Sequence, residues 1–143
     1  MDHYAALTAT GLIHQVSREL TTALERRLAP HDITTQQAAL LINAARGETS
    51  PKRLTSLLGT DTAGMTRLLD RLEAKGLVKR HSNPGDRRAI IIEVTQKGRA
   101  LVPAVAPAFG RSAQQLLTGL SAAEVGQLTG LLQRMLTNLD PTD

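Results

Sequence analysis

The run Asn83-Pro84-Gly85-Asp86-Arg87-Arg88 sets two guanidinium groups directly after a string of turn formers. An Arg carried on the tip of a thin β-ribbon suits the narrow minor groove of a DNA duplex, where the negative potential is strongest. Asp86 beside two Arg would repel a phosphate. Its expected task is to accept hydrogen bonds in the turn or to pair with an Arg, which stiffens the ribbon. Upstream, Thr62, Ala63, Thr66 and Arg67 share one face of a helical wheel, with Arg71 one turn on. Hydroxyl and guanidinium groups there can hydrogen-bond base edges or phosphates, and the Ala63 methyl can touch a thymine methyl. Lys52 and Arg53 could reach phosphates, which position a protein on a duplex without specifying sequence. The plainer alternative in each case is a solvated basic surface on an amphipathic element.

Other chemistries find little support. There is no Cys, so thiolate catalysis, disulfides and thiol redox sensing are excluded. His3, His14, His31 and His81 are scattered without an i,i+4 pair, and no metal site is expected. Neither a G-x-S-x-G elbow nor a phosphate-binding P-loop occurs, so no enzyme and no cofactor are expected. Tyr4 and Phe109 are the only aromatic residues, too few for the stacking platforms of single-strand binders. No run approaches the ~18 apolar residues of a membrane span, and the N-terminus does not resemble a signal peptide. A cytoplasmic protein is the expectation. The charge is unevenly spread. Residues 1–45 carry three Arg against four acids, residues 46–99 twelve Lys and Arg against six, and residues 100–143 two Arg against three. A basic centre between near-neutral ends points to a polyanion-binding middle and flanks with a different task.

The positioning elements follow from periodicity and punctuation. Leu12, Ile13, Val16, Leu20, Ala23, Leu24 and Leu28 predict a first helix from about Thr8, stopped by Pro30. Thr34 and Gln37 have capping-box spacing and open a second, with Ala38, Leu41, Ile42 and Ala45 inward and Gly47 at its end. Ser50 and Pro51 start a third, with Leu54, Leu57 and Leu58 inward and Gly59 terminating it. A fourth starts at Thr60 or Asp61, buries Met65, Leu68, Leu69 and Leu72, and ends at Lys75-Gly76. Residues 77–82 and 89–94 flank the turn as a hairpin. Thr95 caps a fifth helix. Its candidate inward residues are Ala100, Leu101, Val105, Ala108, Phe109, Ala113, Leu116 and Leu117, and Pro103 and Pro107 are expected to kink or divide it. Ser121 and Glu124 cap a sixth, with Val125, Leu128, Leu131, Leu132, Met135, Leu136 and Leu139 apolar. The fold class is mainly α with a small β-hairpin: a winged helix-turn-helix over residues 31–98, flanked by dimerisation helices at 1–30 and 99–143. The apolar arc of the last helix is wider than one small core needs, and a two-fold interface would set the spacing of two reading heads.

Residues 34–98 resemble the MarR family of bacterial transcriptional regulators. The resemblance is carried by Leu54-Thr55-Ser56-Leu57-Leu58-Gly59, by the stretch from Met65-Thr66-Arg67 to Gly76-Leu77-Val78, and by Asp86-Arg87-Arg88 followed by Ile90, Ile92, Val94 and Thr95. It implies a homodimer on a pseudo-palindromic operator, expected to repress. Thr62, Ala63, Thr66 and Arg67 would lie in the major groove, Arg87 or Arg88 in the minor groove, and Asp86 would take the place of the wing aspartate. Gly64 departs from the family pattern, either to allow close approach to DNA or at a cost of about 1 kcal/mol of helix stability. The family commonly takes small anionic ligands, for which His14 and Arg18 on the first helix are the conceivable contacts. The alternative is a winged-helix protein–protein module whose basic hairpin meets an acidic partner. Selective binding of one duplex over random DNA separates the two.

Overall fold

The computed structural model describes residues 1–140; positions 141–143, the end of the C-terminal segment 99–143, lie outside the described residues. Its order is α1 (His3–Leu28), a 3-10 turn (Ala29–His31), α2 (Thr35–Ala45), α3 (Pro51–Leu58), α4 (Thr62–Ala74), β1 (Val78–Asn83), β2 (Asp86–Val94), α5 (Gln96–Leu116) and α6 (Ala122–Leu139). The backbone divides into two compact units at Ser112/Ala113. No helix among the described residues is long and apolar enough to cross a membrane.

The first unit is built on an aliphatic core. Leu28, Leu40, Leu41, Leu54 and Leu72 are fully buried, joined by Val78 and Ile92 from the hairpin and Val105 from α5. Each such side chain contributes about 1.5–3 kcal/mol relative to exposure. The caps act locally. The Thr34–Gln37 box is closed by bonds of 3.3 and 3.2 Å. Gly59 ends α3 at φ 61°, and Gly76 turns the chain out of α4 at φ 72°, left-handed positions that a side chain would strain. Asp2 caps α1, which begins at His3, five residues upstream of the expected start at Thr8. The hairpin is antiparallel, pairing Val78 with Val94 and Asn83 with Asp86, with a register shift at Ser82/Asn83. Ile92 N also donates to Thr49 O at 3.0 Å, anchoring β2 to the residue pair that leads into α3. Gly98 is buried because the start of α5 presses on the residue that leads into β1: a methyl there would lie 2.2 Å from the Leu77 carbonyl oxygen.

Several inward assignments are corrected. Leu57 is 62% exposed. The buried face of α3 centres on Leu54 and Leu58, and Leu57 projects well to one side of that line. Ala100, Ala113 and Leu116 are exposed, because α5 buries only the narrow stripe through Gly98, Val105, Ala108 and Ser112. Pro103 and Pro107 do not divide α5, which runs as one helix through both. The two prolines are exposed and four residues apart, so the carbonyls they leave unpaired fall on the watered side of the helix. In the second unit, Ser121 and Glu124 form the expected box, and α6 buries none of its residues.

Candidate nucleic-acid interface

The alternation of helix α4 divides it cleanly. Met65, Leu68, Leu69 and Leu72 are buried, while Thr62, Ala63, Thr66, Arg67 and Arg71 are all exposed on the other face. Asp61 is its N-cap and accepts from Gly64 N at 2.6 Å. A methyl on residue 64 would stand 2.1 Å from the Thr60 hydroxyl oxygen. The glycine therefore makes room for the helix's own entry residues, a role the sequence reading did not weigh. Thr66 donates its hydroxyl proton to Thr62 O at 3.0 Å. What it offers outward is an acceptor and a methyl group.

The hairpin turn is held from both ends. Asn83 Oδ1 accepts from Gly85 N at 2.9 Å and Asp86 Oδ1 from Arg88 N at 3.0 Å. Asp86 thus caps the turn through the backbone, and the four ion pairs among the described residues do not include it. Arg87 and Arg88 are exposed beside it. As neighbours in a strand they point to opposite faces of the ribbon. Arg88 continues the face of Ile90, Ile92 and Val94 past the edge of the core, where Ile90 is already 47% exposed.

A groove of about 390 Å³ runs between α3, α4 and the hairpin, with Lys52, Thr62, Thr66, Arg80 and Ile90 on its walls. Three elements that are separate in sequence thus share one concave surface. It brings together Lys52, Thr62 and Thr66; Ala63, Arg67 and Arg71 lie on the open face of α4. Arg53 is also exposed, at 3.6 Å from Glu48.

Sequence reasoning missed the role of Arg80. Its side chain does not extend the basic ribbon outward. Its Nε donates to Glu73 Oε1 at 3.0 Å and its terminal nitrogen to Glu73 Oε2 at 2.9 Å, and it also reaches Asp70. Its backbone N–H joins the same Glu73 oxygen at 2.8 Å. The hydrogen bonds from Arg80 hold the Glu73 carboxyl below its ordinary range, and the two carboxylates push the guanidinium further up. The hairpin is thereby clamped to α4. The legible signal was the spacing of Asp70 and Glu73, one helical turn apart, opposite a strand residue of the core-facing parity. A second pair, His81 with Glu93, crosses the ribbon on the face turned away from the core. His14 and Arg18 are exposed on α1 and share no wall with the groove.

Comparison with known proteins adds the following. A family model described as the MarR family matches residues 31–89. The multiple antibiotic resistance protein MarR of Escherichia coli (strain K12) is 35% identical over 127 residues, covering 87% of this chain and 88% of that protein. Among solved structures, a mutant MarR from E. coli complexed with operator DNA is 34% identical, covers 95% of this chain and 99% of its own, and has a TM-score of 0.80. The S. aureus MepR–DNA complex is 26% identical, covers 90% and 96%, and has a TM-score of 0.83.

Proposed function

The chain belongs to the MarR family of transcriptional regulators, and from that premise we propose that it acts as a homodimer on a pseudo-palindromic DNA operator. Helix α4 enters the major groove through Thr62, Ala63, Thr66 and Arg67, with Arg71 one turn on. Lys52 and Arg53 meet phosphates. Arg87 or Arg88 enters the flanking minor groove, and Asp86 sets the turn that aims them. The observation that carries this reading is the single groove shared by α3, α4 and the hairpin, in which Lys52, Thr55, Ser56, Thr62 and Thr66 stand beside the apolar Met65 and Ile90. Two relatives of the same fold have been solved with DNA bound. Dimerisation through residues 1–30 and 99–143 is supported by Leu12, Ile13 and Val16 on α1 and Leu131, Leu136 and Leu139 on α6, all exposed large apolar side chains. Such a surface is costly to leave in water.

Occupying a promoter would repress it. Release by a small anionic ligand, with His14 and Arg18 among its contacts, rests on the family resemblance and on the exposure of both side chains. The protein would act in the cytoplasm, on the nucleoid. The test is a binding titration on a duplex from the protein's own upstream region, against a scrambled duplex, over a range of salt. Selective binding with a steep log–log salt slope is expected. Equal affinity for both duplexes would overturn the proposal and favour a protein–protein module.

A further inference from the structure

Thr66 stands in the middle of the exposed face of α4, with Thr62 and Ala63 one turn before it and Arg67 beside it. Its hydroxyl proton is already in use, donated to Thr62 O at 3.0 Å. That bond to the carbonyl four residues back selects the side-chain rotamer. It also leaves the side chain without a hydrogen to give a base, so that only oxygen lone pairs and a methyl group remain. On the α3 wall of the groove, Thr55 is in the same state, with its proton on Pro51 O at 2.7 Å. Ala63 adds a further methyl, and residue 64 is Gly. The first side chain of α4 with an N–H to offer is therefore Arg67. Of the base edges in a major groove, guanine presents acceptors only, which oppose the lone pairs of a hydroxyl oxygen. Adenine and cytosine present an amino donor, and thymine presents a C5 methyl.

We propose that Thr66 selects a methyl group at C5 of a pyrimidine with an amino group beside it, which rests on the reading of α4 as the helix in the major groove. Two base arrangements carry that pair of groups. One is a thymine stacked against a cytosine or an adenine, since successive bases on a strand lie about 3.4 Å apart. The other is 5-methylcytosine, which holds both groups on one ring. Unmethylated cytosine lacks the methyl, and guanine repels the oxygen. The helix then divides its reading: Thr66 takes the methylated pyrimidine, and Arg67, the next residue, supplies the paired donors that guanine N7 and O6 accept.

The experiment begins with selection of duplexes by the full chain from a randomised pool at fixed salt. In the preferred duplex each thymine of a half-site is then replaced singly by deoxyuridine, which removes the C5 methyl and nothing else. At one position per half-site affinity should fall about fourfold, the ratio given by ~0.8 kcal/mol for one buried methyl-sized group. At that position 5-methylcytosine should exceed cytosine by the same factor, and its rank against thymine distinguishes the two sources of the methyl. Thr66→Ser keeps the hydroxyl and its bond to Thr62 O but removes the methyl, and it should bind the thymine and uracil duplexes alike. Thr66→Val keeps a methyl and removes the oxygen, so it should stay sensitive to the methyl and lose the preference for the neighbouring amino-bearing base. Both variants alter an exposed side chain, and their thermal melts should match the parent's. Selective binding that is indifferent to uracil at every position and to methylation of every cytosine overturns the proposal and leaves the operator reading standing. So does a thymine-to-uracil ratio unchanged in Thr66→Ser. A pool that shows no enrichment overturns both.

Discussion

Replacing Arg80 by Met keeps the aliphatic stem on the core-facing side of β1 and removes only the guanidinium. Three side-chain bonds to Glu73 and Asp70 are lost. A sheltered hydrogen bond to a charged group contributes about 1.5–3 kcal/mol, whereas exposed ion pairs contribute less than about 1 kcal/mol. The side chains here are 27%, 33% and 57% exposed for Arg80, Glu73 and Asp70, which lies between these limits. Arg80→Met should therefore cost about 1–2 kcal/mol, with most of the loss assigned to Glu73. For a chain of this size that lowers Tm by about 3–6 °C. The hairpin also becomes freer to pivot on α4, and ordering it on DNA then costs binding energy. Two uncompensated carboxylates on α4 add repulsion toward phosphates. Operator affinity should fall by roughly fivefold to tenfold, about 1–1.4 kcal/mol. The assay is a thermal melt followed by duplex titration, run as a double-mutant cycle with Glu73→Gln. A coupling of at least about 0.5 kcal/mol is expected for residues in direct contact. A variant that melts within 1 °C of the parent (roughly 0.3 kcal/mol by the same scaling) and binds the duplex equally well would refute the clamp.

Further outcomes follow from the same geometry. Arg87→Ala with Arg88→Ala should weaken operator binding and flatten its salt slope, whereas Thr66→Ala or Arg67→Ala should relax preference at particular base pairs by ~1–3 kcal/mol, as read by competition between single-base variants of the duplex. Gly98→Ala should destabilise by about 1–3 kcal/mol in a denaturant melt, since the new methyl meets a backbone carbonyl that cannot rotate away. The Glu73 carboxyl is held below its ordinary value of 4.5, so its contribution is complete above that pH and is lost as pH falls through the lowered folded value. The stability gap between the parent and Glu73→Gln should therefore be constant near neutrality and close below about pH 4.5.

Punctuation residues made most of this fold legible. Thr34 with Gln37, Ser50 with Pro51, Gly59, Gly76 and Ser121 with Glu124 each satisfy a local backbone requirement that is independent of tertiary context, and each is found in that role. The outward face of α4 was legible for a related reason: four buried apolar residues at helical spacing leave a defined opposite side. What depended on partners in space was not legible. Leu57 looked inward because a short helix offers too few turns to fix its phase. Pro103 and Pro107 looked disruptive because only the packing of α5 determines which of its sides meets water. Arg80 is one basic residue among several in its stretch of sequence, and only the fold sets it opposite Asp70 and Glu73 on α4.

The chain contains no Cys, so an Arg87→Cys variant carries a single thiol to which a DNA-cleaving iron chelate can be tethered. On the selected operator, the account predicts two clusters of strand scission, placed symmetrically about the centre of the site and confined to minor-groove positions at its flanks. Scission at one position only, or spread evenly along the duplex, would contradict a paired grip by helix and ribbon.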